Sequence, residues 1–402
     1  MFRTTLAALA LALPMTACSE NAPEEPKAPP AAVVLTFDKE SVTPLIVEGV
    51  RNFESGEPVE ANDPVRIASI SKLIMALATM RLVDEGTIDL DADVSDYLGF
   101  KVRSPKRPDT PVTLAQLLSH RAGLRDKAGY IIPLGESLQA KLSDPESWYA
   151  DAPPGEAPFE YSNLGSPVVA SALEAATGER YDALVGRTVF APVGVEACLN
   201  WVGCSDDMVA RAVALYRHTD EPARDYPGDL PPGCSIPVAE GVDCALDDYE
   251  PGTNASVFSP QGGVRIGMLD LAKIGQALLN ARETGFLSAA TLDRFLQSAD
   301  DRKNPEQEFF CAYGFHLQVI EGERPDCLDK LLGTDTPYVG HSGEAYGLQS
   351  GLWFSEKKGN GFIYFRTQVP PPVGGEDTGG FVQGEIDLMK RAQAELAKQK
   401  AD

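Results

Sequence analysis

Between residues 69 and 86 the apolar side chains fall at helical spacing, through Ile70, Leu73, Ile74, Leu77, Met80 and Val83, until Gly86 stops the run. A buried helix is therefore predicted to begin close to Ser69. Upstream, Val33 to Phe37 and Pro44 to Val50 read as strands. The middle of the chain, about Val112 to Ala214, alternates helical segments such as Leu114 to Leu118 with Pro and Gly breaks, and a further helix is predicted over Leu269 to Leu279. Late in the chain, Gln349 to Phe354 and Gly361 to Arg366 flank the turn-forming Glu356-Lys357-Lys358-Gly359-Asn360 and read as a hairpin. The tail from Gly384 to Lys398 gathers Ile386, Leu388, Met389, Ala392 and Leu396 on one face, which predicts a helix packed on that sheet. From about Val33 the mixture describes one large α/β unit. Residues 217 to 257 are acidic and rich in Pro and Gly, as expected of an ordered surface insertion.

Composition adds a sizeable core. Hydrophobic residues make up 43% of 402 and charged residues 23%, which excludes collagen-like, coiled-coil and wholly disordered chains. Lys plus Arg total 35 against 59 for Asp plus Glu, a formal net charge of -24. Such a surface repels phosphate backbones, so nucleic acid is not expected as a partner.

The first seventeen residues run from Arg3 through the apolar Leu6 to Leu13 to Met15-Thr16-Ala17, and Cys18 follows. That is the order of an export signal, too short to span a bilayer. A cysteine after small residues resembles the bacterial lipoprotein pattern, which implies lipidation of Cys18, a membrane partner through that anchor and a periplasmic location. An ordinary cleaved signal with a bystander thiol stays open. The expected organisation is a signal over 1–17, an extended Pro-, Glu- and Ala-rich tether over 18–32 and a single domain over 33–400. Without Cys18 the cysteines are Cys198, Cys204, Cys234, Cys244, Cys311 and Cys327, an even set that suggests disulfides in an exported chain. Sequence neighbours would pair as 198 with 204, 234 with 244 and 311 with 327, though other connectivities remain open. With four His in the chain and no Cys-x-x-Cys, a metal site is the lesser alternative, and no metal or cofactor is expected.

Three short constellations carry chemistry. Ser69-Ile70-Ser71-Lys72 opens the apolar helix, and its three-residue offset puts hydroxyl and amine on one face, where the amine can take or relay the hydroxyl proton. The helix N-terminus offers backbone N–H groups to a forming oxyanion. The same spacing recurs at Ser355 to Lys358 in the charged turn, so alone it also suits an N-cap serine beside a solvated lysine. Tyr161-Ser162-Asn163 supplies a phenol that can move a proton and an amide that can donate and accept; an ordinary turn would look the same. His341-Ser342-Gly343 precedes the late hairpin, with a small residue that lets substrate lie against backbone, although single histidines are often structural.

Taken in order, these motifs resemble the penicillin-recognising serine hydrolases, a superfamily of class C β-lactamases, D-alanyl-D-alanine carboxypeptidases, D-aminopeptidases and esterases. The likeness runs through Arg66-Ile67-Ala68-Ser69-Ile70-Ser71-Lys72, Leu82 to Gly86, Leu90 to Asp93, Thr113 to Leu124, Tyr161-Ser162-Asn163, Ser259-Pro260-Gln261-Gly262-Gly263 and Gly340-His341-Ser342-Gly343. It implies a β-lactamase/transpeptidase-like α/β fold: a central antiparallel sheet flanked by helices, plus a mostly helical subdomain at about 105–255. It further implies Ser69 as nucleophile, Lys72 as its proton partner and Tyr161 as general base and acid. Asn163, His341, Ser342 and Gly343 would bind substrate, and the backbone N–H groups of Ser69 and Glu344 would form the oxyanion hole. His120 matches a loop that the motif marks only as structural.

One departure narrows the substrate. Class C β-lactamases have Lys-Thr-Gly where this chain has His341-Ser342-Gly343, and a histidine is largely neutral near pH 7. The resemblance thus implies an exported, metal-independent hydrolase of an ester or amide, with a small-molecule or peptide substrate and an acyl-enzyme intermediate. A cell-wall carboxypeptidase or weak β-lactamase, and a non-catalytic binding scaffold, are the alternatives.

Overall fold

The computed structural model describes residues 28–223, 236–322, 326–370 and 380–401. The signal, Cys18 and most of the tether lie outside these residues, as does Cys234. The strands are β1 (Ala32–Asp38), β2 (Val42–Glu48), β3 (Val65–Arg66), β4 (Ala197–Leu199), β5 (Val264–Ile266), β6 (Gln318–Ile320), β7 (Tyr338–Ala345), β8 (Leu348–Ser355) and β9 (Asn360–Arg366). The helices used below are α1 (Ile70–Asp84), α2 (Leu114–Leu118), α3 (Gly165–Thr177), α4 (Met268–Leu279), α5 (Ala289–Asp300) and α6 (Gln383–Gln399).

A six-stranded antiparallel sheet runs β2-β1-β9-β8-β7-β6. Its alternation is read by two cores. On β1, Val33, Leu35 and Phe37 join the large core with α1 and α4, while Ala32 and Val34 face the smaller one, where Leu388, Met389 and Ala392 of α6 pack. A strand covered on both faces is buried at every position, as β8 is, Gln349, Ser350 and Ser355 included. The tail helix therefore covers the sheet as its pattern predicts. The tether is shorter than expected: Ala31 and Ala32 are buried, and Ala32 already pairs with Glu48 and Arg366.

A second sheet of three strands, β3-β5-β4, was not expected from the sequence. Two- and three-residue strands are too short to show a period of two. It lies where the chain enters α1, with Ile67 N–H donating to Val264 O at 3.1 Å. In α1, twelve residues from Ile70 to Leu82 are buried, so the helix is enclosed on all sides. In α2 the start is set by a capping box, the Thr113 hydroxyl accepting from Gln116 N–H while the Gln116 side chain accepts from Thr113 N–H. The disulfides Cys198–Cys204 and Cys311–Cys327 pair sequence neighbours as expected. In the 217–257 stretch the described part carries no long element, but Ile236 is buried and Leu134 N–H donates to Pro237 O.

The contact between α4 and the sheet depends on a wedge. A Cβ on Gly275 of α4 would lie 2.3 Å from Phe37 Cζ, and one on Gly361 of β9 would lie 2.1 Å from the same atom. The ring has no room to retreat in either direction. Gly275→Ala should gain about 1 kcal/mol in helix propensity yet lose more to overpacking, about 1–3 kcal/mol. A lowered thermal midpoint is expected, and a raised one would show that α4 can slide on the sheet.

Candidate active site

The site is built around the first turn of α1. Ala68, just before it, sits at φ +47, a conformation costly for a residue with a Cβ and typical of chain held by its surroundings. Ser69 follows in helical conformation and its hydroxyl makes no capping bond. Instead Lys72 Nζ lies 3.1 Å from Ser69 Oγ, 2.8 Å from Asn163 Oδ1 and 3.1 Å from Gln261 O. An ammonium has three hydrogens and these are three acceptors. Lys72 is fully buried. Burial penalises its charge and brings its pKa from 10.5 to about 7, against the opposing pull of the Asp126 carboxylate. The amine can thus lose a proton near neutrality, and its lone pair would then face the Ser69 hydroxyl.

Asp126 escaped sequence reasoning altogether. One of its oxygens accepts from Ser162 Oγ and Leu164 N–H, the other from Asn163 N–H and Asn163 Nδ2, all at 2.9 Å. A four-bonded carboxylate fixes the whole 162–164 turn. Among 59 acidic residues, a loop aspartate 36 to 38 positions from its partners carries no local signal. The Asn163 amide is committed at both ends, to Asp126 and to Lys72. It therefore orients the lysine rather than reaching for substrate as expected.

Tyr161 leans on Ser69, whose hydroxyl is its hydrogen-bond partner, and its ring lies 4.7 Å from Lys72 Nζ. His120 packs at 4.5 Å and Phe310 stacks at 4.9 Å with planes 6° apart. Burial pushes the phenol well above its usual pKa, more than the Ser69 bond lowers it. Tyr161 is accordingly a phenol, not a phenolate, at neutral pH.

Three of the four histidines converge on one further hydroxyl. Tyr313 Oη is 3.2 Å from His120 Nε2, 3.1 Å from His316 Nδ1 and 2.8 Å from His341 Nε2. The tautomers follow by elimination, because Ser162 N–H donates to His120 Nδ1 and His341 Nδ1 faces the Ser342 carbonyl at 2.5 Å. His120 therefore donates through Nε2 to Tyr313, Tyr313 donates to His341 Nε2, and His316 Nδ1 donates to Tyr313. All three rings are neutral; burial lowers each pKa, that of His341 to about 3.

His341 is placed differently from the sequence expectation. It is fully buried with both ring nitrogens engaged, so it cannot meet a substrate. Strand alternation puts it on the inner face of β7, toward Tyr313. Ser342 is half-buried and donates to Gln318 Oε1 at 3.1 Å. Gly343 is where β7 meets α1: a Cβ there would lie 2.5 Å from Ile67 O and 2.4 Å from Ser350 Oγ. That contact brings the 343–344 backbone, including Glu344, beside the start of α1. On the opposite wall, Gly263 leaves no room for a Cβ against Phe258 O and Ser259, which tightens the turn presenting Gln261 O to Lys72. Ser71 accepts from Val264 N–H and is fully buried, a structural role.

A cofactor has no evident holder among the described residues. The sulfurs of Cys311 and Cys327 and a carboxylate oxygen of Asp329 lie within 4.8 Å of one another, but the two sulfurs are bonded to each other and are not thiolate ligands.

A family model described as Beta-lactamase matches residues 16–382, most of the chain. Among sequence relatives, the chain is 30% identical over 218 residues to esterase EstB of Burkholderia gladioli, covering 50% of this chain and 52% of that protein. It is 32% identical over 140 residues to the D-alanyl-D-alanine-carboxypeptidase/endopeptidase AmpH of Escherichia coli (strain K12), covering 33% and 35%. These matches span about half of EstB and about a third of AmpH. Among solved structures, the D-amino acid amidase from Ochrobactrum anthropi SV3 aligns with TM-score 0.64 at 20% identity over 92% of this chain and 95% of that one. The class C β-lactamase from Rhodobacter sphaeroides aligns with TM-score 0.61 at 17% identity over 93% and 95%. At these identities the likeness is one of fold, the β-lactamase/transpeptidase-like fold expected from the motifs.

Buried Lys72 has a direct test. In protein carrying nitrogen-15 lysine, its Nζ resonance should titrate near pH 7, far below the ordinary 10.5. Asp126→Asn removes the anion that favours the ammonium, so the midpoint should fall further. A midpoint in the ordinary lysine range would mean that water reaches the amine.

Proposed function

The chain belongs to the Beta-lactamase family, and we propose that it is an exported serine hydrolase that cleaves an ester or amide through an acyl-enzyme on Ser69. The observation that carries this reading is the buried Lys72 amine, 3.1 Å from Ser69 Oγ with its pKa near 7. A scaffold would have no use for a cation kept dry at a cost of several kcal/mol. That EstB is an esterase and that AmpH carries a carboxypeptidase name supports hydrolysis as the class of chemistry.

Ser69 Oγ attacks the carbonyl carbon while its proton passes to the neutral Lys72 amine. The oxyanion is met by backbone N–H groups at Ser69 and Glu344. As the carbonyl reforms, Tyr161 gives its phenolic proton to the leaving oxygen or nitrogen and is reprotonated from Lys72. Water then attacks the acyl-enzyme, Lys72 takes its proton and returns it to Ser69 Oγ. Because burial keeps Tyr161 protonated, the base role expected of it falls to Lys72, and Tyr161 is the acid and relay. Asn163 and Gln261 keep two Lys72 hydrogens engaged so that the lone pair points at Ser69.

Substrates with a neutral leaving side suit this site best. With His341 buried and neutral, β7 offers no cation at that position to a substrate carboxylate, which ranks a D-alanyl-D-alanine carboxypeptidase or weak β-lactamase second. Export rests on the order Arg3, Leu6 to Leu13, Cys18; disulfides such as Cys198–Cys204 and Cys311–Cys327 support an oxidising compartment. We place the protein in the periplasm, anchored through lipid on Cys18. No helix among the described residues is long and apolar enough to cross a membrane.

A fluorophosphonate should add once per chain and fail to add to folded Ser69→Ala; an adduct that survives the substitution ends the assignment. The labelling rate should climb with pH through about 7 and level off as Lys72 deprotonates, and a flat profile would remove it as base. Tyr161→Phe should slow ethyl butyrate turnover by about 10²-fold or more, and p-nitrophenyl butyrate by less, because p-nitrophenolate leaves without a proton. Cys18→Ser should release the protein from the membrane fraction; protein that stays membrane-bound would rule out that anchor.

A further inference from the structure

The ring stacked on Tyr161 comes from a segment that no motif marks. Phe310 lies at φ +56, in the left-handed region that bulky residues avoid. Its neighbours hold it there. Asn304, almost fully buried, donates through Nδ2 to Phe310 O at 2.7 Å and through its backbone N–H to Cys311 O at 2.8 Å, while Arg121 donates to its Oδ1. Cys311, the very next residue, is bonded to Cys327, and Leu328 N–H donates to Glu308 O. The stack is thus delivered by a strained residue on a cross-linked loop. His120 also packs on Tyr161, at 4.5 Å, and its ring is fixed by Ser162 N–H and Tyr313.

A phenol that leans from a turn has two soft torsions; the Ser69 bond holds its oxygen, and the flanking rings limit the plane of the ring. Tyr161 must stay within reach of Ser69, Lys72 and the leaving group at once, and misplacement by about 1 Å can cost 10²-fold in rate. Offset-stacked rings favour one plane. We infer that Phe310, held in place by the Cys311–Cys327 disulfide and Asn304, is a positioning residue that fixes the phenol plane of Tyr161 for proton transfer to the leaving group. The inference rests on Tyr161 being the proton carrier.

The test compares kcat and KM of the full chain on ethyl butyrate and p-nitrophenyl butyrate. Phe310→Ala should lower kcat for the ethyl ester about 10- to 100-fold, leave KM within about twofold and affect the p-nitrophenyl ester far less. Phe310→Tyr, which restores a flat ring, should recover most of the rate. The paired variant Cys311→Ala/Cys327→Ala should show the same leaving-group dependence in a weaker form. In the Tyr161→Phe background, Phe310→Ala should add no further loss beyond about twofold.

If Tyr161→Phe is impaired but Phe310→Ala multiplies that loss, Phe310 acts through substrate or folding and the inference is overturned while Tyr161 keeps its role. An equal loss on both esters has the same meaning. A Tyr161→Phe enzyme as fast as the parent would overturn the reading of Tyr161 and this inference with it. Should Phe310→Ala not fold, Phe310→Leu keeps the volume without the flat face, and an unimpaired Phe310→Leu would overturn the inference equally.

Discussion

An amine without water must find an acceptor for every hydrogen, and at Lys72 that demand organises the molecule. Its three acceptors come from three places in the chain: Ser69 at the N-terminal end of α1, Asn163 on the turn before α3 and Gln261 on the turn before β5. Losing any one would leave a buried donor unsatisfied at a cost of about 1–3 kcal/mol, more for a charged group. The start of α1, the helical part and the turn into the β3-β5-β4 layer are thereby held together at one atom. The glycines beside it, Gly343 against Ile67 and Gly263 against Ser259, are the positions where that convergence leaves no space for a side chain.

The same accounting spreads outward. Asp126 satisfies four donors of the 162–164 turn, and the Tyr313 hydroxyl satisfies three imidazoles drawn from α2's end, the 313–316 turn and β7. His316 Nε2 has no partner among the described residues, a cost tolerated because its other nitrogen completes the hub. These polar groups are expensive to bury singly and specific when combined. Their effect is geometric: they hold the walls of the site while leaving Lys72 beside Ser69 poised to change charge near neutral pH.

Electrostatics then divides the labour between two groups that could each have been the base. Burial lowers the pKa of an amine and raises that of a phenol, because it disfavours whichever form is charged. Lys72 is pushed toward its neutral, accepting state and Tyr161 toward its neutral, donating state. A single physical cause thus sets opposite roles. It also silences the three histidines, which lie close enough to Lys72 to feel its charge.

Much of this was legible in one dimension, wherever a property depends on neighbours along the chain. The apolar period from Ile70 to Val83 marks a helix and its start. The three-residue offset of Ser69 and Lys72 puts both on one face of it. Apolar runs broken by turn-forming residues mark the first strands and the late hairpin, and close cysteines pair as 198 with 204 and 311 with 327. The motif order identified the family. Only the tertiary structure decided that Asp126 braces Asn163, that His341 turns inward to Tyr313, and that Phe310 covers Tyr161. Those partners are separated by 28 to 149 residues on loops without periodicity. Their meeting is set by which packing satisfies every buried polar group at once, and that is a property of the whole fold, absent from any local window of sequence.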